Sequence, residues 1–295
     1  MISLPKPDFG LEHLVGDLSS TDPRVEAIRI DLISLVAHQT TYERLGERAE
    51  LHEFSGAVAA VSEDLQDTLR WAYGVHLRDG EGRRRYNKLR GAVARHFKKC
   101  PLCLVGAARP LDHHLPKSHF GSLSMTPLNL VPICDFCNTK KRSNFATFAE
   151  MQPLHPYFDT FASAPWLVAE VERDGSPALL FGVRPDRAWS EVETARVRNH
   201  FIELELQDRY SDEAMQALSG LIELLEGYRS SDGAQAVRAE LTRQAASERL
   251  QPLNAVRAAA LEAWARSDWF VDEGVYGLWL AQEALRLNVD AAGND

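Results

Sequence analysis

The sequence has 295 residues, 45% hydrophobic and 25% charged, proportions that suit a soluble globular protein with a substantial core. Residues 1–10 hold no apolar run of signal-peptide length, and no later stretch approaches the roughly 20 uncharged residues of a membrane span, so a cytoplasmic protein without membrane contact is expected. A formal net charge of −9 argues against indiscriminate nucleic-acid binding, because Lys and Arg that neutralise phosphates supply most non-specific affinity.

Residues 1–82 read as helical. Thr21, Asp22 and Pro23 offer a cap and an N1 proline ahead of Val25, Ile28, Ile30, Leu32, Ile33 and Leu35. A second helix is expected from about Ser55 to Tyr73, with Val58, Val61, Leu65, Leu69 and Ala72 recurring at three and four. A break follows over residues 76–82, and then a basic helix over residues 83–97 runs into Cys100. The central region, residues 83–150, contains that helix and all four cysteines. Residues 151–295 open with His155, Pro156, Tyr157, Phe158 and Asp159. Two short β-like runs at 166–171 and 178–183, separated by Asp174 and Gly175, predict a hairpin. From Trp189 the pattern turns helical through Val192, Val197, Phe201 and Leu204, with further helices near 212–228, 234–249, 253–266 and 272–287. The fold class is α+β, mostly helical.

Charge is segregated. Residues 82–145 hold 13 Lys or Arg against Asp112 and Asp135, a charge of +11, which leaves −20 for the rest of the chain. Such a basic island supplies a local field for a phosphate backbone, while acidic flanks suit a protein partner.

Cys100 and Cys103, then Cys134 and Cys137, form two Cys-x-x-Cys knuckles separated by thirty residues. Each knuckle can present two thiolates to one side of a tetrahedral zinc ion. Four thiolates saturate zinc and leave no open position for water, so the ion is expected to be a structural staple. Redox chemistry is disfavoured, because thioredoxin-like pairs come singly in a βαβ context.

Between the knuckles lie Leu111, Asp112, His113, His114, Leu115, Pro116, Lys117 and Ser118, then Asn129, Leu130, Val131 and Pro132; the second knuckle continues into Asn138, Thr139, Lys140 and Lys141. The order Cys-x-x-Cys, Asp-His-x-x-Pro, Asn-Leu-Val-Pro, Cys-x-x-Cys-Asn-x-x-Lys resembles the zinc-stapled HNH (ββα-metal) endonucleases over residues 100–145. That resemblance implies a central ββα-metal unit, flanked here by N-terminal helices and by a C-terminal hairpin with helices. The longer string Asp-His-x-Leu-Pro-Lys-Ser, with residues 155–159 downstream, further resembles HNH nucleases of bacterial anti-phage modules, such as the nuclease subunit of Septu-type systems paired with an ATPase.

Carried over by position, the resemblance makes His113 the general base, Asp112 and Asn138 the protein ligands of a catalytic divalent cation, and Asn129 the residue that fixes the intervening loop. It also implies products with a 5′-phosphate and a 3′-hydroxyl. Independently, an imidazole of ordinary pKa, ~6.5, can accept a proton at neutral pH, and two oxygen ligands with the remaining shell left to water and phosphate suit Mg²⁺ or Mn²⁺ better than zinc. Successive strand residues point to opposite faces, so Asp112 and His113 can flank one phosphate only if the chain turns or bulges there. His114 is an alternative: the histidine pair could supply ligand plus base, with Asp112 acting behind them. Lys117, and Lys141 with Arg142 on one face of the following helix, are candidate phosphate contacts.

The expected function is therefore a metal-dependent DNA endonuclease, the nuclease effector of an anti-phage system, with an ATPase subunit or a second copy of the chain as partner. The competing readings are a non-catalytic zinc module that presents the basic island to nucleic acid or protein, and an RNase, since recognition of the 2′-hydroxyl leaves no mark in the sequence.

Overall fold

The computed structural model describes residues 1–54, 61–96, 98–173, 175–251 and 254–292. It is 61% helical with two small antiparallel sheets, in accord with the α+β class. Two compact units emerge: Met1–Ala164 with Asp186–Leu204, and Pro165–Pro185 with Glu205–Asp295. The contacts thus divide the chain near residues 164, 185 and 204, whereas the sequence suggested lines at 82 and 150.

In the first unit, α1 (Leu11–Gly16), α2 (Pro23–Ile30), α3 (Leu32–Glu47), α4 (Glu63–Ala72) and α5 (Arg83–Arg90) precede the cysteines. The cap before α2 forms as expected, with Asp22 accepting from the Arg24 amide and Pro23 at N1. The chain bends at Asp31, so α2 and α3 are separate helices and Ile30 and Ile33 stay outside the core at 74% and 87% exposure. α4 starts at Glu63, where Ser62 caps it by accepting from the Leu65 amide; Ser55, its expected start, and Val58 lie outside the described residues. Leu69 and Ala72 are buried with Val25, Ile28, Leu35, Leu111 and Leu130 in one cluster.

The break expected at residue 76 comes later. A π-helical turn, Tyr73–Arg78, continues directly from α4, and the reversal falls at residues 79–82. Gly80 is required there, because a Cβ would lie 2.4 Å from the Val75 carbonyl oxygen. The basic helix ends at Arg90 and tightens to 3-10 geometry over Gly91–His96; Phe97 lies outside the described residues. Next come β1 (Leu111–His113), β2 (Leu130–Pro132) and α6 (Asp135–Lys141), with Asp112 paired to Val131 in an antiparallel ladder. The unit is completed by α7 (Glu191–Glu203), opened by a Ser190–Glu193 capping box.

The second unit begins with the expected hairpin, β3 (Leu167–Val171) against β4 (Leu179–Val183). Gly175 adopts φ +89° in the connection, and Asp174 lies outside the described residues. Five helices follow: α8 (Leu206–Ser219), α9 (Ile222–Asp232), α10 (Ala234–Arg249), α11 (Ala255–Arg266) and α12 (Val275–Ala292). The single helix anticipated near 212–228 is two helices, parted at Gly220. Ala258, Ala259, Ala260 and Ala263 make the buried face of α11 small enough to approach β3 closely, and the Trp264 indole N–H donates to the Pro177 carbonyl at 2.9 Å. Residues 252 and 253 lie outside the described residues. Among the described residues no helix is long and apolar enough to cross a membrane.

Candidate functional site

Cys100, Cys103, Cys134 and Cys137 are all buried, with their sulfurs within 4.8 Å of one another. The Cys103–Cys134 separation is 3.7 Å. That is too long for a disulfide of ~2.05 Å, and it matches the roughly 3.8 Å edge of a tetrahedron with ~2.3 Å metal–sulfur bonds. The four cysteines could therefore hold a structural zinc. The first knuckle turns because Leu104 adopts φ +64°, a conformation unfavourable for a residue with a Cβ, and its amide is held by the Cys100 carbonyl at 2.9 Å. The second knuckle doubles as the N-cap of α6, with Cys134 Sγ accepting from the Cys137 amide.

That cap sets the direction of α6 and carries Lys141 beneath β1. Lys141 Nζ lies 2.8 Å from Asp112 Oδ2 and donates to the His113 carbonyl at 2.7 Å. The two ion-paired side chains are only 8% and 15% exposed. Burial pushes the Asp112 carboxyl up, and the neighbouring ammonium opposes that shift. Lys141 is thus committed within the protein and is not the open phosphate contact that its spacing suggested. Asn138 is exposed on the same short helix; Arg142, also exposed, lies just beyond its end at φ +52°, so it does not continue the helical face of Lys141 as expected.

Asn129 is wholly buried and works on the loop after β1. Its Oδ1 accepts from the Leu115 amide at 2.8 Å while its Nδ2 donates to the Leu115 carbonyl at 3.0 Å. The Tyr42 hydroxyl donates to the same Oδ1 at 3.0 Å and lies 3.1 Å from His155 Nε2. His155 Nδ1 accepts from the Tyr157 amide, and its own amide donates to Asp159, which is bound by Arg196 through both oxygens at 2.8 and 2.5 Å. The 155–159 string is therefore a buried brace behind the loop, and burial holds His155 neutral, with its pKa lowered to about 3.

β1 keeps regular pairing through His113, so the turn or bulge that Asp112 and His113 would need to flank one phosphate does not occur within the paired stretch. The strand's alternation is therefore intact. Asp112 and His114 line one cavity of about 20 Å³ together with Val131, Lys141 and Glu203, room for about one water-sized particle. His113 faces the other way, its ring 4.5 Å from Tyr73 edge to face and its Nε2 3.0 Å from the Ser124 carbonyl oxygen. Burial lowers the His113 pKa to about 3, and burial likewise pushes that of His114 well below the ordinary imidazole value. His114 packs 4.1 Å from His155, and its Nε2 has no hydrogen-bond partner.

Tyr73 and Tyr42 reach these residues from forty and more positions upstream, and sequence reasoning missed both. The π-helical turn left no local signature. The basic island is also weaker in space than in sequence: Arg85 pairs with Asp17, Lys88 with Asp8, Arg83 with Asp79 and Lys141 with Asp112. The first unit holds 23 basic and 23 acidic side chains, the second 10 and 19, so the net −9 belongs to the second.

No family model and no solved structure matches the chain. The chain is similar to Protein ea31 of Escherichia phage lambda, 34% identical over 129 residues, which are 42% of this chain. It spans only 44% of that protein's length.

Proposed function

We propose that this protein is a divalent-metal-dependent endonuclease of the HNH type that hydrolyses phosphodiester bonds in DNA. The observation that carries the reading is the Asp112–Lys141–His113 arrangement: a strand pair bearing Asp112-His113 is followed at once by a cysteine-capped helix whose lysine grips both residues. His113 is the base. Because a carbonyl oxygen can only accept, the Ser124 contact assigns the ring proton to Nε2 and leaves Nδ1 to take a proton from water. Burial lowers the His113 pKa to about 3, so the imidazole is neutral but a weaker base than the ordinary one expected from the sequence, and Asn129 holds the loop beyond it.

The zinc cage serves as scaffold. By the resemblance, a separate hard cation, Mg²⁺ or Mn²⁺, would be held by the oxygen donors Asp112 and Asn138 and would supply charge neutralisation at the scissile phosphate and the leaving oxygen; Lys141 occupies Asp112 Oδ2 at 2.8 Å, so the ion would compete with that ammonium. Lys141 compensates the charge of the Asp112 carboxylate. One specific observation favours a second reading: His114, not His113, shares Asp112's face and cavity. Supercoiled plasmid incubated with Mg²⁺ or Mn²⁺ separates the two. The first reading expects cleavage by wild type and His114→Ala but none by His113→Ala, and the reverse pattern moves the base to His114. Equal cleavage by wild type, Asp112→Ala and both histidine variants would refute the nuclease assignment.

The role as anti-phage effector, gated by an ATPase subunit or a second copy of the chain, belongs to the same proposal. Its support is the acidic second unit, which repels DNA and leaves Leu224, Leu250, Leu280 and Leu285 exposed. The native mass of the complex purified from its host tests it; a monomer with full activity by itself would remove the case for gating.

A further inference from the structure

Just beyond the region of nuclease resemblance, the chain after α6 lines a second cavity of about 200 Å³, with Asn144, Phe145, Phe148, Met151, Pro153 and Glu203 among its walls. Phe148 is 67% exposed and Met151 46%, two large apolar side chains three residues apart. Their segment is firmly held. Phe145 packs on His119 and Phe120, each ring centroid 5.0 Å away. The Met151 amide donates to the Phe148 carbonyl at 3.2 Å, closing a 3-10 turn, and the Met151 carbonyl accepts from Asn199 Nδ2 of α7 at 3.0 Å. Buried Arg196 then holds the Gln152 and Pro153 carbonyls at 3.1 and 3.3 Å. Phe148 is thus presented to solvent on a fixed frame. The cavity also adjoins the candidate site, because Pro153 and Glu203 line the small cavity of Asp112, His114 and Lys141 as well.

Size, charge and chemistry indicate what fits there. The volume falls below the roughly 300–1,000 Å³ of pockets for drug-sized ligands, which suits a single ring system. Residues 136–149, which lead into the cavity, carry Lys140, Lys141 and Arg142 and no acid, a charge that suits a phosphate backbone. A phenyl face at the surface stacks on any base whose own face is uncovered, as it is in a single strand or a flipped nucleotide. The Asn144 amide and the Glu203 carboxylate offer hydrogen-bonding groups to a base edge. We propose that this cavity is a nucleobase subsite, in which an unpaired base of the substrate strand stacks on Phe148 with the adaptable Met151 beside it and leaves the adjoining phosphodiester near Asp112. The inference rests on the nuclease reading for the identity of its ligand as nucleic acid. It adds Phe148, Met151 and Asn144 as substrate-binding residues and makes single-stranded or locally opened DNA, rather than intact duplex, the preferred substrate.

The test measures binding of a single-stranded oligonucleotide containing 2-aminopurine, and of the matching duplex, to the zinc-loaded full chain without Mg²⁺ or Mn²⁺. The proteins are wild type, Phe148→Ala, Phe148→Trp and the control Ile33→Ala, which removes an apolar side chain 87% exposed elsewhere in the first unit. Single-strand affinity is expected to fall about 5- to 100-fold in Phe148→Ala, to recover in Phe148→Trp and to stay unchanged in the control. The slope of log affinity against log salt is expected to match wild type in every variant, because no phosphate contact is removed. Binding is expected to quench 2-aminopurine emission with wild type but not with Phe148→Ala. Phe148→Ala that binds the single strand as wild type does, a control that loses as much, or a wild type that binds duplex as tightly as single strand overturns the subsite. Cleavage of single-stranded DNA in Mg²⁺ is read separately. Cleavage by wild type with the same KM in Phe148→Ala overturns the subsite and leaves the nuclease reading standing; binding with quenching but no cleavage removes the nuclease reading and leaves the subsite. Sedimentation of the same proteins checks the other occupant: a dimeric wild type, a monomeric Phe148→Ala and equal DNA affinity would assign the cavity to a second copy of the chain and overturn the proposal.

Discussion

Replacing Asp112 with Asn separates what this carboxylate does for the fold from what it does in the proposed reaction. The change keeps the shape and removes one charge from a pair whose members are 8% and 15% exposed. Lys141 then retains the His113 carbonyl at 2.7 Å but no counter-charge. Burial already opposes the Asp112 carboxylate, so the intact pair contributes little net stability. Stranding the lysine is different: an uncompensated buried charge costs about 3–5 kcal/mol. Lys141→Met in the same background removes that charge and keeps most of the apolar stem, so the double variant is expected within about 1 kcal/mol of wild type. Urea denaturation of zinc-loaded protein, compared at constant m-value, measures both differences. Both variants are expected to lose plasmid cleavage. Asp112→Asn within about 0.5 kcal/mol of wild type, or a double variant no more stable than the single, would refute the buried pair; restored cleavage in the double variant would refute a role for the Asp112 carboxylate in the chemistry.

Four further outcomes follow from the same contacts. Removing metal with a strong chelator is expected to release one zinc per chain and to expose four thiols to a thiol reagent, as in proteins whose metal binding is coupled to folding; full native structure after complete metal loss would contradict the cage. His155 and His200 are both buried, with pKa values lowered to about 3. Between that value and the unfolded ~6.5 the unfolded chain binds more protons, so stability falls as pH drops, by about 3 kcal/mol for the two groups between pH 7.5 and 5.5; equal unfolding midpoints at those pH values would show that they are not buried neutral. Arg196→Ala leaves the buried Asp159 carboxylate without a counter-charge and removes the donor to the Gln152 carbonyl, and a loss of about 3–5 kcal/mol is expected by denaturation. Asn129→Leu keeps the branched shape but loses both bonds to Leu115 and removes the acceptor of the Tyr42 hydroxyl proton, at a cost of about 2–4 kcal/mol, with faster amide exchange at Leu115 as the local readout.

What lay open in the sequence was what neighbouring residues decide among themselves. The cap at Asp22 and Pro23, the β3–β4 hairpin, the span of α10 and the two knuckles each depend on a few adjacent side chains and on fixed backbone geometry. The same locality exposed the question at Asp112 and His113 without answering it, because alternation along a strand forbids a shared face unless pairing breaks. Only the tertiary structure decided that pairing continues, that Lys141 folds under β1 onto Asp112, and that Tyr73 rather than solvent meets His113. It also decided that Asp17 and Asp8 pair with Arg85 and Lys88 of the basic island. Those outcomes come from packing between segments distant in the sequence, where the gain from burying a shared apolar cluster selects the contact and the charged groups must find partners in whatever lands beside them.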